Sequence, residues 1–206
     1  MTRREEIILA ILDLAAEHGL RAVTLAQIAE RVGMRKPSLY NHFSSKDDIV
    51  QEAYRYLRDQ ARARSVMPDV DFDTLFAGRS LEEILLMLFE QYCSLVMDPD
   101  LLRLFKVLYA ERPTNPAAAQ IVLDETDRMV GQVRSLFHAL AGRGSLACDD
   151  VDMAALSFAM TIHGLVDRQL DELSAHGPAG DGSQPTFDPA EAYISWFARQ
   201  MEVDHA

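Results

Sequence analysis

The sequence predicts an all-α protein of about nine helices. Three observations carry that expectation. Apolar residues recur at i, i+3 and i+4 almost throughout, helix-start signals return at intervals along the chain, and no long stretch alternates apolar with polar residues as a half-buried strand does. The helices divide into an N-terminal helix-turn-helix unit of three helices and a larger C-terminal helical body.

Thr2-x-x-Glu5 is a capping box, in which hydroxyl and carboxylate each satisfy an orphan N–H of the first turn. Ile7, Ile8, Ile11, Leu12 and Ala15 continue it as an amphipathic helix, and Gly19 suits a left-handed cap. Thr24-x-x-Gln27 opens a second, short helix that stops before Gly33. Pro37 fits the first turn of a third helix over 36–43, where its missing N–H costs nothing. Ser44 or Ser45, followed by Asp47 and Asp48, caps a fourth helix running to about Arg64. Pro68 and Asp69–Asp73 break the pattern and mark a linker. Ser80-x-x-Glu83 starts a helix to about Met97, and Asp98-Pro99 ends it. Leu101–Glu111 is a short apolar helix. Asn115-Pro116 begins a long one that ends at Gly142-Arg143-Gly144. Asp149 or Asp150 opens a helix to about Leu173, residues 174–187 form a Gly/Pro/Ser loop, and Asp188-Pro189 with Glu191 caps a last helix carrying Tyr193, Trp196 and Phe197.

At 206 residues, with 49% hydrophobic and 25% charged residues, the chain is too apolar for intrinsic disorder and has the balance of a globular protein. Cys93 and Cys148 lie 55 positions apart in no Cys/His cluster, which points to a reducing cytoplasm rather than a disulfide scaffold or a metal site. No segment offers eighteen uncharged apolar residues, so no membrane partner is expected. The N-terminus carries Glu5, Glu6 and Asp13, unlike a secretory leader. The net charge of −12 alone argues against a polyanionic partner, but its distribution points the other way. Residues 1–64 hold 11 Lys+Arg against 9 Asp+Glu, and the rest hold 9 against 23. Within 21–46, Arg21, Arg31, Arg35, Lys36 and Lys46 face a single acid, Glu30. A basic window on an acidic body is a candidate polyanion-binding surface.

Two short helices joined by a glycine turn inside that window describe a helix-turn-helix. Ala26, Ile28, Ala29 and Val32 permit close helix crossing, and Gly33 supplies the positive φ of the turn. At about 100° per residue, Leu39 and Phe43 share the inward face of the second helix. Pro37, Ser38 and Asn41 point most nearly away, flanked by Lys36, Tyr40 and His42. Asn can bond adenine bidentately, and Lys can reach guanine or phosphate, in a major groove.

With Thr24, Ile28-Ala29, Gly33, Leu39-Tyr40-Asn41-His42-Phe43 and Lys46, residues 5–50 resemble the DNA-binding domain of tetracycline-repressor-like (TetR family) transcription regulators. The resemblance implies a DNA-binding domain over 1–48 and an effector-binding and dimerisation domain over 49–206, with a helix at 45–64 connecting them. It implies Thr24 and Leu25 against phosphate, Arg35, Lys36, Pro37, Ser38, Asn41 and His42 toward bases or nearby backbone, and Tyr40 and Lys46 on phosphates. His42 has helix capping as its other reading. The resemblance also implies a double-stranded DNA operator and a homodimer through helices at about 150–173 and 189–203. Many members carry a small residue where this chain has Pro37, so its operator preference need not follow theirs.

Other motifs weigh less. Asp69-x-Asp71-x-Asp73 lacks the glycine and the closing glutamate of a calcium loop, and the Gly-rich stretch 177–183 lacks the Lys-Ser/Thr of a phosphate loop. No nucleophile, base and orienting group assemble, so no catalytic residue, metal or cofactor is expected. His163 and Asp167, i and i+4, suit a satisfied polar pair near a dimer interface, a spacing that could otherwise hold a metal or anchor a polar ligand. Met87, Tyr92, Met97, Phe105, Tyr109, Met129, Phe137 and Phe158 recur at helical spacing, as core or as the lining of an adaptable apolar pocket. The expected function is a dimeric transcription regulator, a repressor released by a small, partly apolar effector. The alternatives are a regulator without an effector, and a helical small-molecule-binding protein or enzyme whose basic N-terminus is incidental.

Overall fold

A computed structural model describes residues 1–64, 76–176 and 188–201. Among them stand nine helices and no strand: α1 (Arg3–His18), α2 (Leu25–Arg31), α3 (Lys36–Leu39), α4 (Lys46–Arg64), α5 (Leu81–Val96), α6 (Pro99–Glu111), α7 (Pro116–Gly142), α8 (Val151–His176) and α9 (Asp188–Met201). None is long and apolar enough to cross a membrane. The linker expected around Asp69–Asp73 and the glycine-rich stretch 177–183 lie outside the described residues.

The helix starts follow local chemistry. Thr2 with Glu5, and Thr24 with Gln27, form complete capping boxes. Ser80 with Glu83 does the same for α5: Glu83 N–H donates to Ser80 Oγ at 3.2 Å, and Ser80 N–H to Glu83 Oε2 at 2.8 Å. Those contacts from Ser80 hold the Glu83 carboxyl below its usual pKa. Asn115 Oδ1 receives the N–H groups of Ala117 and Ala118, and Asp150 Oδ1 that of Met153. Two expected boundaries move, and one cap takes another form. Asp98 caps rather than merely ending a helix, accepting from Leu101 N–H at 3.0 Å, so α6 begins at Pro99. Helix α8 runs past Leu173 to His176. Gly19 takes a positive φ of 80° but an extended ψ of 143°, so it turns the chain away from α1 rather than forming a left-handed cap.

Two compact units result, Met1–Val66 with Leu95–Thr126, and Met67–Ser94 with Asp127–Ala206. In the first, α1 packs on α2, α4 and α6. Ile7, Ile11, Ile28, Leu39, Ile49, Leu57, Leu108 and Ile121 are all but removed from water, each contributing about 1.5–3 kcal/mol. Polar latches fix the register: Arg103 Nη1 donates to Asp13 Oδ1 at 2.6 Å, and Asn115 Nδ2 to Tyr54 Oη at 2.9 Å.

In the second unit α8 packs on α9. The core is aromatic: Phe158 lies 4.9 Å from Phe197, 5.5 Å from Phe137 and 5.9 Å from Tyr193, ring centre to ring centre. His138 Nε2 (2.9 Å) and Arg134 Nε (3.1 Å) on α7 reach Asp152 Oδ1 on α8, and the histidine contact, followed by the arginine charge, holds that carboxyl below its usual pKa. Ser195 Oγ donates to Glu82 Oε1 at 2.6 Å.

Candidate nucleic-acid interface

Helix α2, a turn and α3 form the helix-turn-helix. Val32 N–H bonds the Ile28 carbonyl, Gly33 N–H the Glu30 carbonyl and Met34 N–H the Ala29 carbonyl, and Gly33 takes φ 66° to make that reversal. Arg35 then stands in extended conformation at the N-cap of α3, and Pro37 sits in its first turn. The segment expected as one helix over 36–43 is helical only to Leu39. Tyr40, Asn41 and His42 continue it with i→i+3 hydrogen bonds, the tighter 3₁₀ pattern that often closes a helix, before Phe43 N–H returns to the Leu39 carbonyl. Leu39 and Phe43 are buried, as their spacing requires.

The opposite side faces water. Arg35, Lys36, Pro37 and Asn41 are exposed, Ser38 and His42 are half-buried, and Tyr40 leaves 54% of its surface open. An exposed tyrosine costs apolar hydration that nothing within the fold offsets, and a phenol suits a phosphate oxygen. The cations divide by partner. Arg3 pairs with Glu6, Arg4 with Glu52 and Arg31 with Glu17. Among the described residues, the side chains of Arg21, Arg35 and Lys36 pair with no acid and make no hydrogen bond. Arg35 and Lys36 stand at the start of α3 and Arg21 precedes α2, three exposed cations unpaired among the described residues.

Three expected phosphate contacts have other work in the fold. Lys46 is half-buried, and its Nζ donates to the carbonyls of Leu20 at 3.1 Å and Arg21 at 3.4 Å, which leaves one of its three protons for an external acceptor. Thr24 Oγ1 accepts from Gln27 N–H and donates to Gln27 Oε1 at 2.8 Å, while half-buried Leu25 packs against the core. Ser45 is the α4 cap, accepting from Asp48 N–H at 3.1 Å, and Ser44 donates through N–H and hydroxyl to Asp48 Oδ2, which lowers that carboxyl's pKa. Arg21 was legible only as a member of the basic window. The roles of Arg3 and Arg4 depend on contacts 29 and 38 positions away, to the carbonyls of Val32 and His42.

The candidate ligand residues fall in two places. Phe105 and Tyr109, edge to face at 6.3 Å, belong to the first unit, where Arg112 lies over the Tyr109 ring at 4.2 Å. Met87, Tyr92, Met129, Phe137, Phe158, His163 and Asp167 belong to the second. Phe137 and Phe158 are closed in its aromatic core. Tyr92 Oη and His163 Nδ1 share a hydrogen bond of 3.0 Å, and His163 Nε2 lies 3.6 Å from Asp167 Oδ2, so the polar pair is a triad across α5 and α8. A cleft of about 190 Å³ opens elsewhere, among Leu9, Leu12, Asp13, Tyr56, Gln60, Arg103 and Leu104. That is below the roughly 300–1,000 Å³ of a pocket for a drug-sized ligand.

A glycine-turned pair of short helices presenting a cationic, tyrosine-bearing face defines a helix-turn-helix protein of the regulator class. Residues 7–53 match the family model of bacterial regulatory proteins, tetR family, and residues 83–170 that of the AefR-like transcriptional repressor C-terminal domain. The chain belongs to the TetR family. It is 41% identical over 63 residues to the HTH-type transcriptional repressor KstR2 of Mycobacterium tuberculosis, a match covering 31% of this chain and 32% of that relative's length. It is 28% identical over 173 residues to the probable HTH-type transcriptional regulator ArpR of Pseudomonas putida, covering 81% of this chain and 80% of that one. A TetR transcription regulator from Haloarcula marismortui shares the fold with a TM-score of 0.66 at 17% identity, over 97% of this chain and 98% of the other. A Rhodococcus transcriptional regulator does so with a TM-score of 0.63 at 21% identity, over 98% and 99%.

Proposed function

We propose that this protein is a cytoplasmic, homodimeric repressor that sets one α3 segment of each protomer into a major groove of a near-palindromic operator and leaves it when a small, partly apolar effector binds. The DNA-binding part is residues 1–48, and residues 49–206, joined through the helix at 45–64, carry dimerisation and effector binding. The observation that carries the reading is the exposed face of Pro37, Tyr40 and Asn41 with the exposed Arg35 and Lys36, which pair with no acid among the described residues. Clustered cations that no acid among the described residues neutralises offer an attractive surface to an external polyanion. The repressor sense is supported by the AefR-like match and by the resemblance to KstR2, each named as a repressor.

Dimerisation is supported by Met153, Leu156 and Met160, exposed at helical spacing on α8, and by Trp196 on α9. The effector reading is supported by half-buried Met87, Tyr92 and Met129 in the same unit as the Tyr92–His163–Asp167 triad. An effector acts by preferring a dimer whose recognition segments no longer match the groove repeat of about 34 Å.

The test is enrichment of duplexes from a random-sequence pool, followed by fluorescence anisotropy at two salt concentrations. Wild type should bind the enriched duplex at least about a thousandfold more tightly than pool DNA. Tyr40→Ala and Lys36→Ala should each weaken binding about tenfold with helicity intact, at about 1.4 kcal/mol per decade. Equal binding of all duplexes by wild type would leave a carrier or enzyme with an incidental basic N-terminus.

A further inference from the structure

Helix α3 has four residues, one turn, and a single turn does not hold its own direction against solvent. Leu39 and Phe43 anchor its inner side in the core, and α2 packs against it. Two adjacent arginines of α1 flank it, one at the end of α2 that leads into the turn and one where the segment closes. Arg3 Nη1 donates to the carbonyl of Val32, in the turn that precedes α3, at 3.3 Å. Arg4 Nη1 donates to the carbonyl of His42, which closes the segment. The Arg4 guanidinium also lies 4.2 Å from the centre of the Phe43 ring, and its Nη2 lies 3.4 Å from Glu52 Oε1 on α4.

We infer that Arg3 and Arg4 form a yoke that fixes the direction of the recognition segment from outside the helix-turn-helix, making them positioning residues for sequence readout rather than phosphate contacts. The inference rests on the DNA-binding reading above. Each arginine directs its charge to an acid and a directional donor to a backbone carbonyl, Val32 at the C-cap of α2 for Arg3 and His42 where the segment closes for Arg4. The planar fork of Arg4 stacks on Phe43 and donates in its own plane at the same time, which a lysine ammonium cannot do. Base-edge hydrogen bonds need distances and angles held within a few tenths of an ångström, whereas phosphate attraction does not. Loosening the yoke therefore costs specific binding and spares non-specific binding.

The experiment compares wild type, Arg4→Ala, Arg4→Lys and Arg3→Ala/Arg4→Ala on the duplex enriched by wild type and on unselected pool DNA, with helicity checked by circular dichroism. Arg4→Ala should lose about tenfold on the enriched duplex and less than about twofold on pool DNA, with the salt dependence unchanged. The double variant should lose more on the enriched duplex alone, and Arg4→Lys should resemble Arg4→Ala. Parallel loss on both DNAs with a shallower salt slope would make Arg4 a phosphate contact. Full rescue by lysine would show that charge alone suffices. Unchanged binding with a lower melting temperature would leave only a structural contact. Each of these three overturns the yoke. Should Arg4→Ala fail to fold, Arg4→Lys carries the same comparison. Failure of wild type to enrich any duplex overturns the DNA-binding reading and the yoke with it, and is told apart because no variant is needed to see it.

Discussion

Tyr54 is the residue at which the protein's alkaline behaviour can be argued. It is 4% exposed on α4, and its hydroxyl oxygen accepts from Asn115 Nδ2. Burial, and after it the charge of Glu111, raises the phenol from its ordinary 10.0 to about 12. In the unfolded chain the proton leaves near 10.0, so between there and about 12 the folded state binds more protons than the unfolded one. The stability this proton confers is fully present below pH 10 and is lost as pH rises through the folded value. Wild type should lose about 1 kcal/mol more than Tyr54→Phe between about pH 9.5 and 12, allowing for solvent screening. Urea unfolding across that range measures the difference, and parallel curves would show that the phenol does not carry it. Asp48 and Glu83 act in the opposite sense. Their lowered carboxyls contribute stability above the ordinary carboxylate range, lost as pH falls through their folded values.

At the scale of elements, what the sequence made legible depended on how far each signal reaches. The capping boxes at Thr2, Thr24 and Ser80 are closed within three residues, and the structure has all three where the pattern puts them. The length of α3 was not legible, because Tyr40, Asn41 and His42 are equally at ease in a helix or in the 3₁₀ turns they adopt. The yoke was invisible for a different reason: nothing local to Arg3 or Arg4 records carbonyls that far along the chain. Lys46 could be read as a cation but not as the donor to Leu20 and Arg21 that it is. The glycine of the turn was legible from chemistry alone, and it gives a sharp test. A methyl at Gly33 would meet nothing within 4 Å, so the cost of Gly33→Ala is the strain of φ 66° and not a clash. That strain is about 1–2 kcal/mol for an L-residue, and Gly33→Asn should cost less because Asn tolerates the left-handed region. Denaturant midpoints of the two variants should fall in that order, and equal midpoints would mean that the turn relaxes out of positive φ.

For the whole molecule, the exposed apolar side chains of α8 and α9 carry the test of the proposed dimer. Met153, Leu156 and Met160 follow one another at spacings of three and four on α8 and are 58%, 38% and 44% exposed, and α9, packed on α8, leaves Trp196 50% exposed. Large apolar groups gathered on the outside of adjoining helices lower the free energy when a second apolar surface covers them, at about 25 cal/mol per Å². A second copy of the same chain would meet the requirement, because a two-fold axis sets each such face against itself; in the dimer proposed above two recognition segments would then meet two half-sites. Wild type should therefore sediment as a dimer, and Met160→Glu/Trp196→Glu as a monomer of unchanged helicity, since neither side chain belongs to the buried core. The monomer engages one half-site at a time. Its affinity for a two-half-site duplex should fall by about a hundredfold or more, the usual worth of tethering a second binding event, while its affinity for a single half-site should stay as it was. A variant that still sediments as a dimer would place the interface elsewhere, and a monomer that binds the full duplex undiminished would separate dimerisation from recognition altogether.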